Sequence, residues 1–250
     1  MVLRHQLQQG MKDMTEVIKV GIIGTGKMAH IRANAIAGID GVKIVVVGSN
    51  VFGEGTEANS ERLLAFASKS GISDTEGSHE GVIEKHRLDA VVICSTVESH
   101  CHLIGLAARS GIGYVFCEKP FGAEMQEIDR ALIALEHTGA KLQVGFNRRF
   151  DPQFEELQGR LTDGRFGTIR HVDIVSLDPA APSVENLTRP WALVRETMVH
   201  DLDTAMWLMG DGVEYISVRG SCQNPDLGKM ELYQIDGAVA FLGFEGGETC

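Results

Sequence analysis

The sequence predicts an α/β protein. A doubly wound parallel sheet comes first, and an α+β domain with a mostly antiparallel open sheet follows it. Three observations carry this. Residues 17–146 alternate Val/Ile-rich runs with helical stretches through short connections. Strands buried on both faces, linked by crossover helices, give that rhythm. A glycine turn, "GTGKMA", closes the first run and opens a helix. After residue 146 the runs alternate apolar and polar residues, as antiparallel strands with one wetter face do.

Taken in order, residues 1–16, "MVLRHQLQQGMKDMTE", read as a polar N-terminal extension. "VIKVGIIGTG" (17–26) is a strand buried on both faces, and "KMAHIRANAIAG" is a helix closing at Gly38. "VKIVVVGS" (42–49) is the second strand. "NSERLLAFASKSG" (59–71) is a helix with Asn59 or Ser60 as N-cap and Gly71 as C-cap. "LDAVVICST" (88–96), "YVFCEKP" (114–120) and "KLQVGF" (141–146) are strands, separated by helices over 98–111 and 124–139. Beyond the boundary near 146, "TIRHVDIVSLD" (168–178) and "VEYISVRGS" (213–221) alternate as strands. "KMELYQIDGAVAFLGFEGG" predicts a hairpin turning at Asp236-Gly237. One long helix runs from about 193 to 209. The chain thus divides into a 1–16 extension, a 17–146 nucleotide-binding half and a 147–250 α+β half.

Bulk composition limits the function classes. The chain has 250 residues, 44% apolar and 23% charged, as a globular protein does. A net charge of −11 argues against nucleic acid or an anionic membrane as partner. No apolar run approaches the ~20 residues that span a bilayer, and residues 1–16 lack the apolar core of a secretory signal. The five cysteines are odd in number and form no C-x-x-C pair, which fits reduced thiols in the cytoplasm.

The glycine turn carries the first chemistry. Gly24 allows a tight turn, Gly26 lets backbone approach a pyrophosphate, and Ala29 permits close helix–strand packing. Thr25, Lys27 and Met28 complete the loop, and the helix N-terminus offers free N–H groups to phosphate. The second strand ends in Gly48-Ser49-Asn50, without the acid that grips adenosine ribose hydroxyls. Ser49 removes repulsion against a 2′-phosphate, yet no Arg or Lys follows in "NVFGEGTEANS". NAD and NADP both stay open, with a slight lean to NADP.

Two further clusters follow. Glu118-Lys119-Pro120 falls at the carboxyl end of a parallel strand, where ligands sit in doubly wound folds. Lys119 there suits a hydrogen bond to a substrate hydroxyl; a surface loop with two solvated charges has the same spacing. In "RETMVHDLDTAMWLMG", Glu196 and His200 are four apart and share a helix face. The pair suits a general base and its orienting carboxylate, or a surface ion pair. A metal site built from Glu196, His200 and His171 lacks a completing ligand pattern, so no metal is expected.

"GTGKMA", "STVESH", "YVFCEKP", "QVGFNRRFDP" and "VHDLD", in that order and spacing, resemble the glucose-fructose oxidoreductase / inositol dehydrogenase / MocA family. Within it, "SLDPAAP" and "ETMVHDLD" look most like inositol 2-dehydrogenases. The resemblance implies a Rossmann domain, and hydride transfer between a nicotinamide cofactor and a secondary alcohol of an inositol or sugar-like polyol. It implies that Lys119 is catalytic, that His200 is the general base, and that Glu196 stands where relatives carry an aspartate. Thr96 and Glu118 fall at cofactor-contact positions. Asn147, Arg149 and Asp178 fall in substrate-approaching segments. The open sheet implies a homo-oligomer.

The sequence departs from the family at Ser49, at "RPWALVRE" before the catalytic helix, and at Cys250, where it stops short of a typical member. Trp191 in the second segment either stacks on a sugar ring or, more commonly for tryptophan, fills core. The short second domain keeps two other functions in view: a non-catalytic dinucleotide-binding regulator or scaffold, and an NAD-dependent glycosidase.

Overall fold

A computed structural model of the chain describes residues 17–51, 56–177, 191–210, 212–224 and 235–250. The expected 1–16 extension therefore lies outside the described residues. The chain divides into two compact units, residues 1–145 and 146–250.

The first unit is a six-stranded parallel sheet in the order β3-β2-β1-β4-β5-β6. Its strands are β1 (Ile18–Ile23), β2 (Val42–Gly48), β3 (Asp74–Glu76), β4 (Ala90–Ile93), β5 (Tyr114–Cys117) and β6 (Lys141–Val144). The connecting helices are α1 (Lys27–Ala37), α2 (Thr56–Ser70), α3 (His79–Glu84), α4 (Val97–Arg109) and α5 (Met125–Thr138). The strand order reverses between β1 and β4, and that switch point opens a crevice at the carboxyl ends of the strands.

Alternate residues of each strand face opposite sides of the sheet, and two cores result. Val20, Ile22, Val47 and Val92 pack under Ala33, Ile36, Leu63 and Phe66 of α1 and α2. Ile23, Val91, Ile93, Val115 and Cys117 pack under Leu103, Ile104, Ala131 and Leu135 of α4 and α5. Each fully buried Ile, Leu, Val or Phe contributes about 1.5–3 kcal/mol of transfer free energy. Both sheet faces are therefore covered, as the unbroken apolar runs require.

Sequence and structure part at several places. Helix α2 begins at Thr56, so neither Asn59 nor Ser60 is its cap; Asn59 Oδ1 instead accepts from Arg62 within the helix. The β3–α3 unit was not expected: β3 has three residues and α3 six, too few to show a period. Ser78 caps α3 by accepting from Gly81 N–H at 3.0 Å. In the second unit, residues 168–177 form no ladder strand. Val172 N–H reaches Thr249 O at 3.0 Å, and one bridge joins His171 to Thr249. Val175 and Leu177 are 82% and 87% exposed. Finally, the first arm of the hairpin expected at Asp236-Gly237 lies outside the described residues; Gly237 opens a strand paired with Ser221, and Asp236 just before it donates its N–H to Ser221 O at 3.0 Å.

That ladder is an antiparallel pair, β7 (Val213–Ser221) with β8 (Gly237–Phe244). The second unit also holds a 3₁₀ turn, Asn147–Phe150, and α6 (Pro152–Thr162). Asp151 caps α6 by accepting from Gln153 N–H at 2.9 Å, with Pro152 opening the helix. The long helix expected over 193–209 is present in two parts. A π-helical turn, Val194–Met198, runs directly into α7 (Val199–Met209).

Candidate functional site

The glycine turn after β1 is shaped by close backbone approach. Gly24 has φ +102°, and a Cβ there would meet Cys94 O at 2.5 Å. Only glycine sits in that conformation without strain. Gly24 N–H bonds Gly48 O at 2.7 Å, and Cys94 N–H bonds Ile23 O at 2.7 Å, so the turn is held against β2 and β4. Gly26 differs: a Cβ there would meet no atom within 4 Å. It is the N-cap of α1 without a side-chain cap, so the N–H groups of the first turn have no intrahelical acceptor. Ala29 is buried in the core beneath, while Lys27 and Met28 are exposed and Thr25 half-buried. An open space ringed by unpaired N–H groups at the positive end of a helix fits a pyrophosphate. This unit has the doubly wound topology, with the glycine turn at its first strand–helix connection.

At the end of β2, Ser49 N–H bonds Glu76 O and Asn50 Oδ1 accepts from His79 N–H. Residues 52–55 of the loop beyond lie outside the described residues.

Strand β5 delivers Glu118 and Lys119 to the same edge. Glu118 N–H still bonds Ile93 O at 2.9 Å, extending the register one residue past the strand. Glu118 is 6% exposed. Its Oε1 accepts from Arg32 Nε and a terminal guanidinium nitrogen, both at 2.7 Å, and the Arg32 guanidinium lies over the Phe116 ring at 4.8 Å. Gly145 makes room for this carboxylate, since a Cβ there would stand 3.0 Å from Glu118 Oε2. Lys119 is half-buried, and its peptide bond to Pro120 is cis. Thr96, expected as a cofactor contact, is the exposed N-cap of α4, and its carbonyl accepts from Ser99 Oγ at 2.8 Å.

Burial pushes the Cys94 thiol up to about 12, with the charge of Glu118 adding to the shift and Arg32 opposing it. Burial also raises Cys101 to about 11 and Cys117 well above the usual thiol range. These groups stay protonated at neutral pH and pack as small apolar residues.

In the second unit, α7 carries His200, half-buried, with its ring edge-on to Phe146 at 6.4 Å. Glu196 is exposed on the π-helical turn before it. Two arginines of the 3₁₀ turn hold this helix. Arg148 donates to Asp201 Oδ1 at 2.6 Å and to Ser176 Oγ at 3.0 Å, and Ser176 Oγ donates to the same Asp201 oxygen at 2.6 Å. Arg149, expected near substrate, spends its guanidinium on both oxygens of Asp203 at 2.7–3.1 Å. Thr204 Oγ donates to His200 O at 2.7 Å. Asn147 is exposed. Trp191 does not fill core: it is 47% exposed with φ +61° at the head of the helical segment, and a left-handed backbone on a bulky residue is a strained conformation. Asp178 lies outside the described residues, and among those described no cluster of three His, Cys, Asp or Glu could hold a metal ion.

Sequence reasoning missed Arg32, His100, Arg148, Asp201 and Asp203. Each acts through a partner distant in sequence. The only local sign was the density of charge in "NRRFD" and "HDLD".

These features define a doubly wound, dinucleotide-binding type of fold followed by a second α/β unit. Residues 18–146 match the model of the oxidoreductase family with NAD-binding Rossmann fold (GFO/IDH/MocA), and residues 154–250 match the GFO/IDH/MocA C-terminal domain. The chain belongs to that family. It is 34% identical to inositol 2-dehydrogenase of Rhizobium meliloti, over 78% of this chain and 56% of that protein. It is 32% identical to the uncharacterized oxidoreductase YrbE of Bacillus subtilis, over 94% of this chain and 66% of that protein. A probable dehydrogenase from Thermotoga maritima superposes with a TM-score of 0.83 at 29% identity, covering 93% of this chain and 67% of that one. The chain thus spans about two thirds or less of the length of these curated relatives.

Proposed function

We propose that the protein is an NAD(P)-dependent dehydrogenase acting on a secondary alcohol of an inositol or sugar-like polyol. The observation that carries the reading is the anchored Glu118-Lys119-Pro120 at the carboxyl end of β5, in the same sheet as a phosphate-ready glycine turn after β1. A relative named inositol 2-dehydrogenase supports the substrate class.

Gly24–Ala29 would hold the pyrophosphate, with Ser49 at the adenosine ribose and Thr96 and Glu118 flanking the nicotinamide side. The nicotinamide, when bound, supplies the hydride acceptor. His200 takes the proton of the reacting hydroxyl as general base. Lys119 donates a hydrogen bond to the same oxygen and stabilises the developing alkoxide. Glu196 orients His200 and stabilises the imidazolium formed once it has taken the proton. Asn147, Asp178 and Trp191 contribute to polyol recognition, Trp191 by offering an exposed ring face to a sugar. Arg149 contributes by holding α7.

Two further readings attach to this one. Tyr215 and Val239 are exposed on one face of the β7–β8 ladder and Ile216 and Val218 on the other, which supports a homo-oligomer formed through that sheet. Five free thiols support a cytoplasmic protein. Among the described residues no helix is long and apolar enough to cross a membrane.

The test is titration with NADH and NADPH by nicotinamide fluorescence, then a panel of cyclitols and sugars followed at the reduced-nicotinamide absorbance. Micromolar binding of one cofactor and oxidation of a polyol are expected. Absence of binding by a folded protein refutes the enzyme reading.

A further inference from the structure

We propose that His100 is a positioning residue for Lys119, acting through the carbonyl of Pro120. The inference rests on the reading of Lys119 as the group that meets the substrate oxygen. His100 lies in the first turn of α4 and is 1% exposed. Burying an imidazole costs free energy unless its nitrogens are paired. Here both face carbonyl oxygens: Nδ1 stands 2.8 Å from Pro120 O and Nε2 stands 3.1 Å from Ser95 O.

Both partners are carbonyl oxygens, which only accept. An imidazolium donates to both; a neutral ring donates to one, and the shorter contact assigns that proton to Nδ1. In either form the bond to Pro120 is present. His100 therefore ties the segment after β4 to the segment after β5.

The consequence falls on Lys119. Its N-terminal neighbour, Glu118, is pinned through its carboxylate to Arg32 of α1. Its C-terminal neighbour, Pro120, is pinned through its carbonyl to His100 of α4. A lysine side chain has several rotatable bonds and loses much rotamer freedom when it is ordered. Anchors on both sides fix the backbone from which that side chain starts, so fewer placements of the ammonium remain. A residue buried only for packing would need neither carbonyl.

Three substitutions separate the two contacts. His100→Asn sets an amide N–H where Nδ1 stands and keeps the bond to Pro120. His100→Gln reaches the Nε2 position and keeps only Ser95. His100→Leu keeps neither. Each variant is read by polyol turnover, by NADH affinity, and by reductive methylation of Lys119 relative to Lys27 with peptide mass spectrometry.

The Asn variant is expected to keep turnover and the labelling ratio within ~3-fold of wild type. The Gln and Leu variants are expected to lose ~10-fold or more in turnover, with NADH affinity within ~2-fold. Their Lys119-to-Lys27 labelling ratio should move by ~3-fold or more. The labelling readout needs no substrate, so a shifted ratio in a protein that oxidises no polyol sustains the positioning role while refuting the proposed function. A Gln variant indistinguishable from wild type in labelling overturns the proposal, as does an Asn variant impaired as severely as Gln. Should the Leu variant fail to fold, the Asn–Gln comparison decides alone.

Discussion

Gly24 and Gly26 stand two residues apart in one loop, yet they serve different ends, and alanine at each separates them. At Gly24 the backbone has φ +102°, and the new Cβ would lie 2.5 Å from Cys94 O and 2.8 Å from Cys94 C. Left-handed backbone costs an L-residue about 1–2 kcal/mol. The overlap is with main chain, which cannot swing aside, because Cys94 N–H is bonded to Ile23 O. Overpacking of this kind adds about 1–3 kcal/mol, for a total of about 2–5 kcal/mol. A unit of this size loses ~3–4 °C of Tm per kcal/mol, so Gly24→Ala should lower the midpoint by roughly 6–20 °C. At Gly26, φ is −77° and the Cβ meets nothing within 4 Å, so Gly26→Ala should move Tm by no more than ~2 °C. Its methyl group projects instead into the space assigned to pyrophosphate, and NADH affinity should fall ~10-fold or more. Differential scanning fluorimetry and nicotinamide fluorescence on both variants make the measurement. The reasoning fails if Gly24→Ala melts with wild type, or if Gly26→Ala binds NADH normally.

Three other expectations follow from the same geometry. Ser49→Asp places a carboxylate where a 2′-phosphate would lie, and should weaken NADPH ~10-fold more than NADH; equal losses in paired fluorescence titrations would count against this placement of the adenosine ribose. Glu76 is held below the usual carboxylate value of 4.5 by its hydrogen bond to Lys85 and, further, by His86, against the opposing effect of burial. A depressed folded-state value gives stability that is present above the unfolded value and lost as pH falls through the folded one. Glu76→Gln should therefore destabilise at pH 7, with the gap to wild type closing below about pH 4.5; a gap independent of pH in urea melts would show that the pair contributes nothing. Iodoacetamide at pH 8 should modify the exposed Cys222 while sparing the partly buried Cys94 and the buried Cys101 and Cys117, whose thiols are raised by burial; modification of these three at the rate of Cys222, read by peptide mapping, would contradict their packing.

Much of the first unit was legible because its physics is local. A strand buried on both faces must be continuously apolar, so β1, β2, β4 and β5 stand out as Val/Ile runs, and the glycines and Glu-Lys-Pro mark their carboxyl ends. Elements without a period were not legible. The β3–α3 segment, "DTEGSHEGVIE", is short and charged. The start of α2 at Thr56 is masked by a glycine-rich approach. Helix α6 did leave a signal, Asp151 as cap before Pro152, with Phe154, Leu157 and Leu161 at helical spacing. In the second unit, alternation suggested strands, but alternation records which side chains face core and not which neighbour pairs. Residues 168–177 alternate and find one bridge among the described residues; Gly237, placed by composition in a turn, opens a strand paired with Ser221. The residues expected to do chemistry could be named from motifs. The groups that hold them, Arg32 on Glu118, His100 on Pro120 and Arg148 on Asp201, act across 86, 20 and 53 residues. Such pairs depend on the folded topology and leave no spacing to read.

The central claim is that Lys119 and His200 perform proton chemistry on a polyol beside a separately bound nicotinamide. The most direct test measures polyol turnover and NADH affinity on the same preparations of wild type, Lys119→Ala and His200→Ala. The account predicts NADH affinity within ~2-fold across all three, and turnover reduced ~100-fold or more in both variants. Wild-type turnover in either variant, or loss of NADH affinity matching the loss of turnover, would contradict it.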